Sequence, residues 1–149
     1  TLSTLLSRIG KRPIVVQKEV PGFILNRLQG ALLREALWLV EQAVASPQDI
    51  DIAIRNSIGR RWAVAGVFEI FELAGWDLLA SITSGLFPHL ATTAATPKIL
   101  RDQVARGELG VKTGKGFYEW TPESAEALRR RIAQALVTIE QLTNSSGTD

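Results

Sequence analysis

The chain has 149 residues, 46% hydrophobic and 21% charged, with a net charge of +2 at pH 7. That length supports one domain with a core or two small halves, and the charge balance argues against a nucleic-acid partner because no face collects Lys and Arg in excess. There is no cysteine and one histidine, His89, which excludes disulfides and thiolate sites and leaves no metal site to expect; no apolar run is long enough to span a membrane.

The chain opens at Thr1, with no methionine and no signal peptide. That start points to an excised domain or processed product of a cytoplasmic protein. Residues 1–16 read as a linker in which Gly10-Lys11-Arg12-Pro13 precedes a short β-branched run, Ile14-Val15-Val16. Pro21-Gly22 then turns the chain into a helix predicted from Gly22 to about Ala45. Apolar residues recur there at Ile24, Leu28, Ala31, Leu32, Ala36, Leu39 and Ala43, the helical period. Leu25, Leu33, Leu37 and Val44 fill a second face, leaving Arg34, Glu41 and Gln42 for solvent. A helix apolar on most sides is expected to be central and buried.

Asn26 breaks this pattern. Asparagine is a mediocre helix former that competes with the backbone for hydrogen bonds, and a buried amide without a partner costs about 1–3 kcal/mol. It is therefore either a structural hydrogen bonder or part of a site.

Ser46-Pro47-Gln48-Asp49 signals the next helix start, with a capping serine, a first-turn proline and an acid near the positive end of the helix dipole. This helix is predicted to reach about Ser57, with Gly59 as its stop and Arg60-Arg61-Trp62 as a linker. Gly66 to about Leu90 is a long apolar segment that Gly75 or Gly85 interrupts. Thr96-Pro97 starts a fourth helix ending at Gly107. Thr121-Pro122-Glu123 opens a fifth, to about Leu142, and residues 143–149 read as a disordered tail. The fold class is all-α, with about five helices around a long central one over residues 1–142.

The loop Gly107 to Phe117 carries four glycines and two lysines, Lys112 and Lys115. Glycines let backbone N–H groups approach an anion, but the spacing fits neither a Walker A loop nor a dinucleotide fingerprint. Composition alone favours a structural turn. Glu69 and Glu72 share a helix face, and with no histidine beside them an ion pair with Arg60 or Arg61 is favoured over acid–base work. His89 reads as a surface or capping residue near a helix end. The tryptophans Trp38, Trp62, Trp76 and Trp120 read as core or interface anchors.

Three segments together resemble a known family. Gly10-Lys11-Arg12-Pro13 with Val20-Pro21-Gly22-Phe23-Ile24-Leu25-Asn26-Arg27 is similar to the opening of the C-terminal domain of L-3-hydroxyacyl-CoA dehydrogenases. Ala45-Ser46-Pro47-Gln48-Asp49-Ile50-Asp51 resembles that family's next helix start, and Gly110-Val111-Lys112-Thr113-Gly114-Lys115-Gly116-Phe117-Tyr118 its closing loop. The likeness covers about residues 8–120. Val67 departs from it, because the family commonly has proline in a Gly-Pro-Phe-Glu-like segment.

The resemblance implies the helical domain shared with 6-phosphogluconate dehydrogenase C-terminal-like proteins. It implies an NAD-dependent oxidation of 3-hydroxyacyl-CoA to 3-oxoacyl-CoA in fatty acid β-oxidation. An upstream Rossmann domain, absent from this chain, would bind most of the NAD and carry a catalytic His–Glu pair. The family's catalytic asparagine falls on Asn26 and its cofactor-contacting lysine on Lys112. The resemblance also implies a homodimer, an acyl-CoA substrate held with the missing domain, and no activity in this chain alone. Two alternatives stay open: a related 3-hydroxy-acid dehydrogenase without CoA, of the lambda-crystallin or carnitine dehydrogenase kind, or a stand-alone helical dimer without catalysis.

Overall fold

The structure, a computed structural model, describes residues 1–145. Its regular elements are eight α-helices and one 3₁₀ turn. They are α1 (Leu2–Arg8), α2 (Leu25–Glu41), α3 (Pro47–Asn56), α4 (Ile58–Trp62), α5 (Val67–Ala74), α6 (Trp76–Leu86), the turn Phe87–His89, α7 (Lys98–Ala105) and α8 (Pro122–Ser145). The expected all-α class holds: among the described residues the only β pairing is a pair of isolated bridges, Gly110 with Lys115 and Lys115 with Glu119. No single described helix is long and apolar enough to cross a membrane, although α5 and the stretch Trp76–His89, bent by 104°, pass that test as a pair by length and composition.

The chain divides into two compact units, Thr1–Arg34 and the part from Glu35 onward. In the first, the predicted linker contains a helix. Thr1 caps α1 by accepting from the Thr4 N–H at 3.3 Å, and Gly10, at φ +76°, lets the chain leave it. Residues 11–16 form no strand. The turn before α2 uses two left-handed residues, Gly22 at φ +83° and Phe23 at φ +47°. A β-carbon-bearing residue pays for that conformation, so glycine is the economical choice at the first. No residue of this unit is buried.

The expectation of a buried central helix is corrected here. Leu25, Leu28 and Leu33 of α2 are 66%, 60% and 56% exposed, and only Leu37 is buried. Apolar patterning states which faces gain from being covered; it does not supply the cover.

The second unit is tied together by acids of α2 that reach distant backbone. Glu35 Oε2 accepts from the Ala91 N–H at 2.8 Å, and Glu41 Oε1 from the Ile99 N–H at 3.0 Å. Glu41 is exposed, as expected, and from there also caps the positive end of α7. The buried core comprises Leu37, Ala91, Ala125 and the polar Gln103. Ser46 and Asp49 form the predicted capping box of α3, with the Asp49 N–H donating to Ser46 Oγ at 3.1 Å.

Gly59 does not stop α3. The helix ends at Asn56, with Ser57 as its cap, and Gly59 lies within α4, where a Cβ would come 2.9 Å from the Ile54 carbonyl oxygen. Its glycine is set by a close approach between neighbouring turns, and Arg60-Arg61-Trp62 is helical rather than a linker. Gly75, at φ +90°, is the break in the long apolar segment, while Gly85 remains within α6. α8 continues through Ser145, three residues beyond its predicted end at Leu142; the rest of the predicted tail lies outside the described residues.

Candidate functional site

In the first unit, Asn26 lies exposed in the first turn of α2. Beside it, Arg27 Nη1 donates to the Pro21 carbonyl at 3.5 Å, holding the turn against the helix start. Gly22 is closely placed there too: a Cβ would touch Arg27 Cγ at 3.4 Å and Asn26 Cβ at 3.5 Å. Gly30, one turn along the same face, has open space around it, with nothing within 4 Å of a built Cβ. The amide thus stands on an uncovered surface with no bulk one turn away.

In the second unit, the closing loop is a self-bonded turn. The Gly110 N–H donates to Lys115 O at 2.7 Å, Thr113 N–H to Gly110 O at 3.1 Å, Gly116 N–H to Tyr118 O at 2.8 Å and Trp120 N–H to Gly114 O at 2.7 Å. The Leu109 N–H finds Thr113 Oγ1 at 2.9 Å. These donors are spent internally, so they do not form an anion cradle. Gly110 and Gly114 take φ +73° and +77°, and a Cβ on Gly116 would lie 2.9 Å from Gly110 Cα. The structural-turn reading of the glycines therefore accounts for all three.

The two lysines of the loop differ. Lys115 pairs with Glu108 at 3.1 Å, and Arg106 joins the same carboxylate at 2.9 Å. The bonds from Arg106 and then Lys115 hold Glu108 below the usual carboxylate range, and the Lys115 ammonium is raised by Glu108. Lys112 is exposed at the turn and forms no ion pair among the described residues.

Tyr118, at the far end of the loop, donates through Oη to Asp51 Oδ2 on α3 at 2.7 Å. Burial, then the hydrogen bond to Asp51, pushes its phenol above the ordinary tyrosine value. Its ring makes an edge contact with Trp120, centroids 6.2 Å apart. Sequence reasoning missed this tether, and it missed the anchoring role of Glu35. The only signal available for Glu35 was an acid on an otherwise apolar helix.

Other candidates resolve into local structure. Glu69 accepts from the Gly66 N–H at the start of α5, and Glu72 accepts from Trp76 Nε1 at 3.4 Å. The expected pairing with Arg60 or Arg61 is not formed, because each carboxylate has a nearer partner at its own end of α5; Arg60 donates to Asn56 Oδ1 instead. His89 is exposed at the end of the 3₁₀ turn. Among the described residues no three His, Cys, Asp or Glu side chains are grouped to hold a metal. Trp62 and Trp76 are 40% and 48% exposed, so they are not core residues of this chain.

Comparison with known proteins bears on these features. The model of the 3-hydroxyacyl-CoA dehydrogenase C-terminal domain matches residues 22–120. The 5-formyl-3-hydroxy-2-methylpyridine 4-carboxylate 5-dehydrogenase of Mesorhizobium japonicum is 36% identical over 142 residues, covering 95% of this chain and 46% of the relative. The L-carnitine dehydrogenase of Burkholderia mallei is 54% identical over 126 residues, covering 82% of this chain and 38% of the relative. The chain thus spans less than half the length of either. A crystal structure of 5-formyl-3-hydroxy-2-methylpyridine 4-carboxylic acid 5-dehydrogenase, described as an NAD+-dependent dismutase, superposes with a TM-score of 0.92 at 35% identity, over 96% of this chain and 46% of that one. With the family model matching well over half of the sequence and the helical fold shared, the chain belongs to the 3-hydroxyacyl-CoA dehydrogenase C-terminal domain family.

Proposed function

We propose that the chain is the helical domain of an NAD-dependent dehydrogenase that oxidises a 3-hydroxy acid or its CoA thioester. In this reading it supplies one wall of the active-site cleft and a subunit interface, acts in the cytoplasm, and is inactive alone. The observation that carries the reading is the exposed Asn26 beside the open face at Gly30. An amide with free donors is suited to stabilise the substrate oxygen as its charge changes between alcohol and ketone.

NAD+ would accept the hydride when bound by the nucleotide domain. The exposed Lys112 at the turn fits one charged contact to such a cofactor, and the N–H groups of Gly110, Thr113 and Gly116 are spent within the loop. The hydroxyl proton would leave to a base on that other domain. Large apolar side chains left bare, Phe68 at 73%, Leu73 at 89% and Leu136 at 60% exposure, support a subunit interface.

The substrate without CoA is the second reading. It draws on the carnitine and pyridine-carboxylate dehydrogenases, whose named substrates are small acids. The test is a fusion of this chain behind the preceding segment of the Burkholderia mallei L-carnitine dehydrogenase. NADH formation is followed with L-carnitine, 3-hydroxybutyrate and 3-hydroxybutyryl-CoA. The fusion is expected to turn over at least one of them and the chain alone none. A folded, NAD-binding fusion that turns over none, or turnover by the chain alone, refutes the proposal.

A further inference from the structure

The groove between α3 and α8 takes no part in the reading above. The face of α3 carrying Asp51 and Arg55 forms one wall, the face of α8 carrying Leu128 and Arg131 the other, and Tyr118 and Trp120 of the closing loop line it between them. Its volume is about 540 Å³, within the range of small-molecule sites.

Its two arginines keep guanidinium donors to spare. Neither Arg55 nor Arg131 is ion-paired among the described residues. Arg55 uses only its Nε, on the Asp51 carbonyl at 3.2 Å. Two guanidinium forks from opposite walls suit a multiply charged anion, and their planar donors match phosphate. Tyr118 and Trp120 are half-buried, and their rings suit a flat partner. Asp51 binds Tyr118 through Oδ2, which leaves Oδ1 as an acceptor for an amino or hydroxyl group.

We propose that this groove binds a phosphorylated purine nucleoside, with Arg55 and Arg131 on the phosphate and Tyr118 and Trp120 beside the ring. The same chemistry is presented by free adenine nucleotides and by the adenosine end of coenzyme A. The proposal does not rest on the roles given to Asn26 and Lys112.

Isothermal titration of the 149-residue chain tests it, with ADP, coenzyme A, inorganic pyrophosphate and adenosine as probes, at low and physiological salt. ADP, coenzyme A or both are expected to bind more tightly than pyrophosphate or adenosine, and more weakly as salt rises. Binding of both assigns the site to adenine nucleotides generally; binding of coenzyme A alone assigns it to the coenzyme. Arg55→Gln and Arg131→Gln, at exposed positions and with circular dichroism unchanged, should each weaken binding by about tenfold or more, and Arg131→Lys by less. Absence of binding by both ADP and coenzyme A, pyrophosphate binding as tightly as either, or an affinity unmoved by Arg131→Gln overturns the proposal.

Discussion

Replacing Gly116 with alanine sets a methyl group against the backbone of its own loop. The new Cβ would stand 2.9 Å from Gly110 Cα and 3.1 Å from Gly110 N. Carbon atoms prefer about 3.5–4.0 Å, so the loop must open by about half an ångström or more. It resists opening, because Gly110 and Gly116 are held by hydrogen bonds of 2.7 and 2.8 Å to Lys115 O and Tyr118 O. Overpacking of this kind costs about 1–3 kcal/mol. At about 3 °C per kcal/mol for a chain of this length, Tm should fall by about 3–9 °C. Gly85→Ala is the control. It lies in α6 with nothing within 4 Å of the new Cβ, and alanine there gains about 0.5–1 kcal/mol of helix propensity. Thermal unfolding of both variants beside the parent, followed by circular dichroism, should shift in opposite directions. A Gly116→Ala variant melting at or above the parent would refute the steric argument.

Further predictions concern the anchors and the proposed roles. Glu35→Ala leaves the Ala91 N–H without its carboxylate in a buried position and should cost about 1–3 kcal/mol, read as a lower urea midpoint; an unchanged midpoint counts against the tether. The phenol of Tyr118 is raised by burial and by Asp51, so its contribution to stability is complete below the ordinary tyrosine pKa and lost as pH climbs through the folded value. Tyr118→Phe should therefore flatten the alkaline loss of stability, and urea midpoints that fall as steeply as in the parent would contradict this. Glu108, held low by Arg106 and then Lys115, has the opposite sign: its contribution is present above the ordinary glutamate pKa and lost as pH falls. Glu108→Gln should lose stability at neutral pH and much less in acid. In the fused dehydrogenase, Asn26→Ala should lower kcat by about 10²–10³-fold with Tm unchanged. Lys112→Ala should raise the KM for NAD+ with a smaller effect on kcat. A wild-type kcat for the first, or a wild-type KM for the second, removes the corresponding role.

Much of the local structure was legible in the residues. Ser46 and Asp49 announce a capping box, and the structure forms it; Pro122 opens α8 as expected. Gly75 was one of two candidate breaks, and its left-handed φ identifies it. These features act within a few residues, where side-chain chemistry and backbone conformation are directly coupled. The contacts of Glu35, Glu41 and Tyr118 span 56, 58 and 67 residues. No local pattern encodes partners so far apart. Gly59 shows the same limit at shorter range: it reads as a helix stop, but the proximity of the Ile54 carbonyl is what leaves no room for a Cβ.

The sequence by itself determined the all-α class, the starts of α3, α7 and α8 and the family, because periodicity, caps and short motifs are local properties. Only the tertiary structure decided which apolar faces this chain covers, and it leaves much of α2, α5, α6 and α8 bare. It also decided which loop donors are spent and which basic groups stay unpaired. Burial and pairing depend on what surrounds a residue in space, and a pattern along the chain states only what each residue would gain from such surroundings.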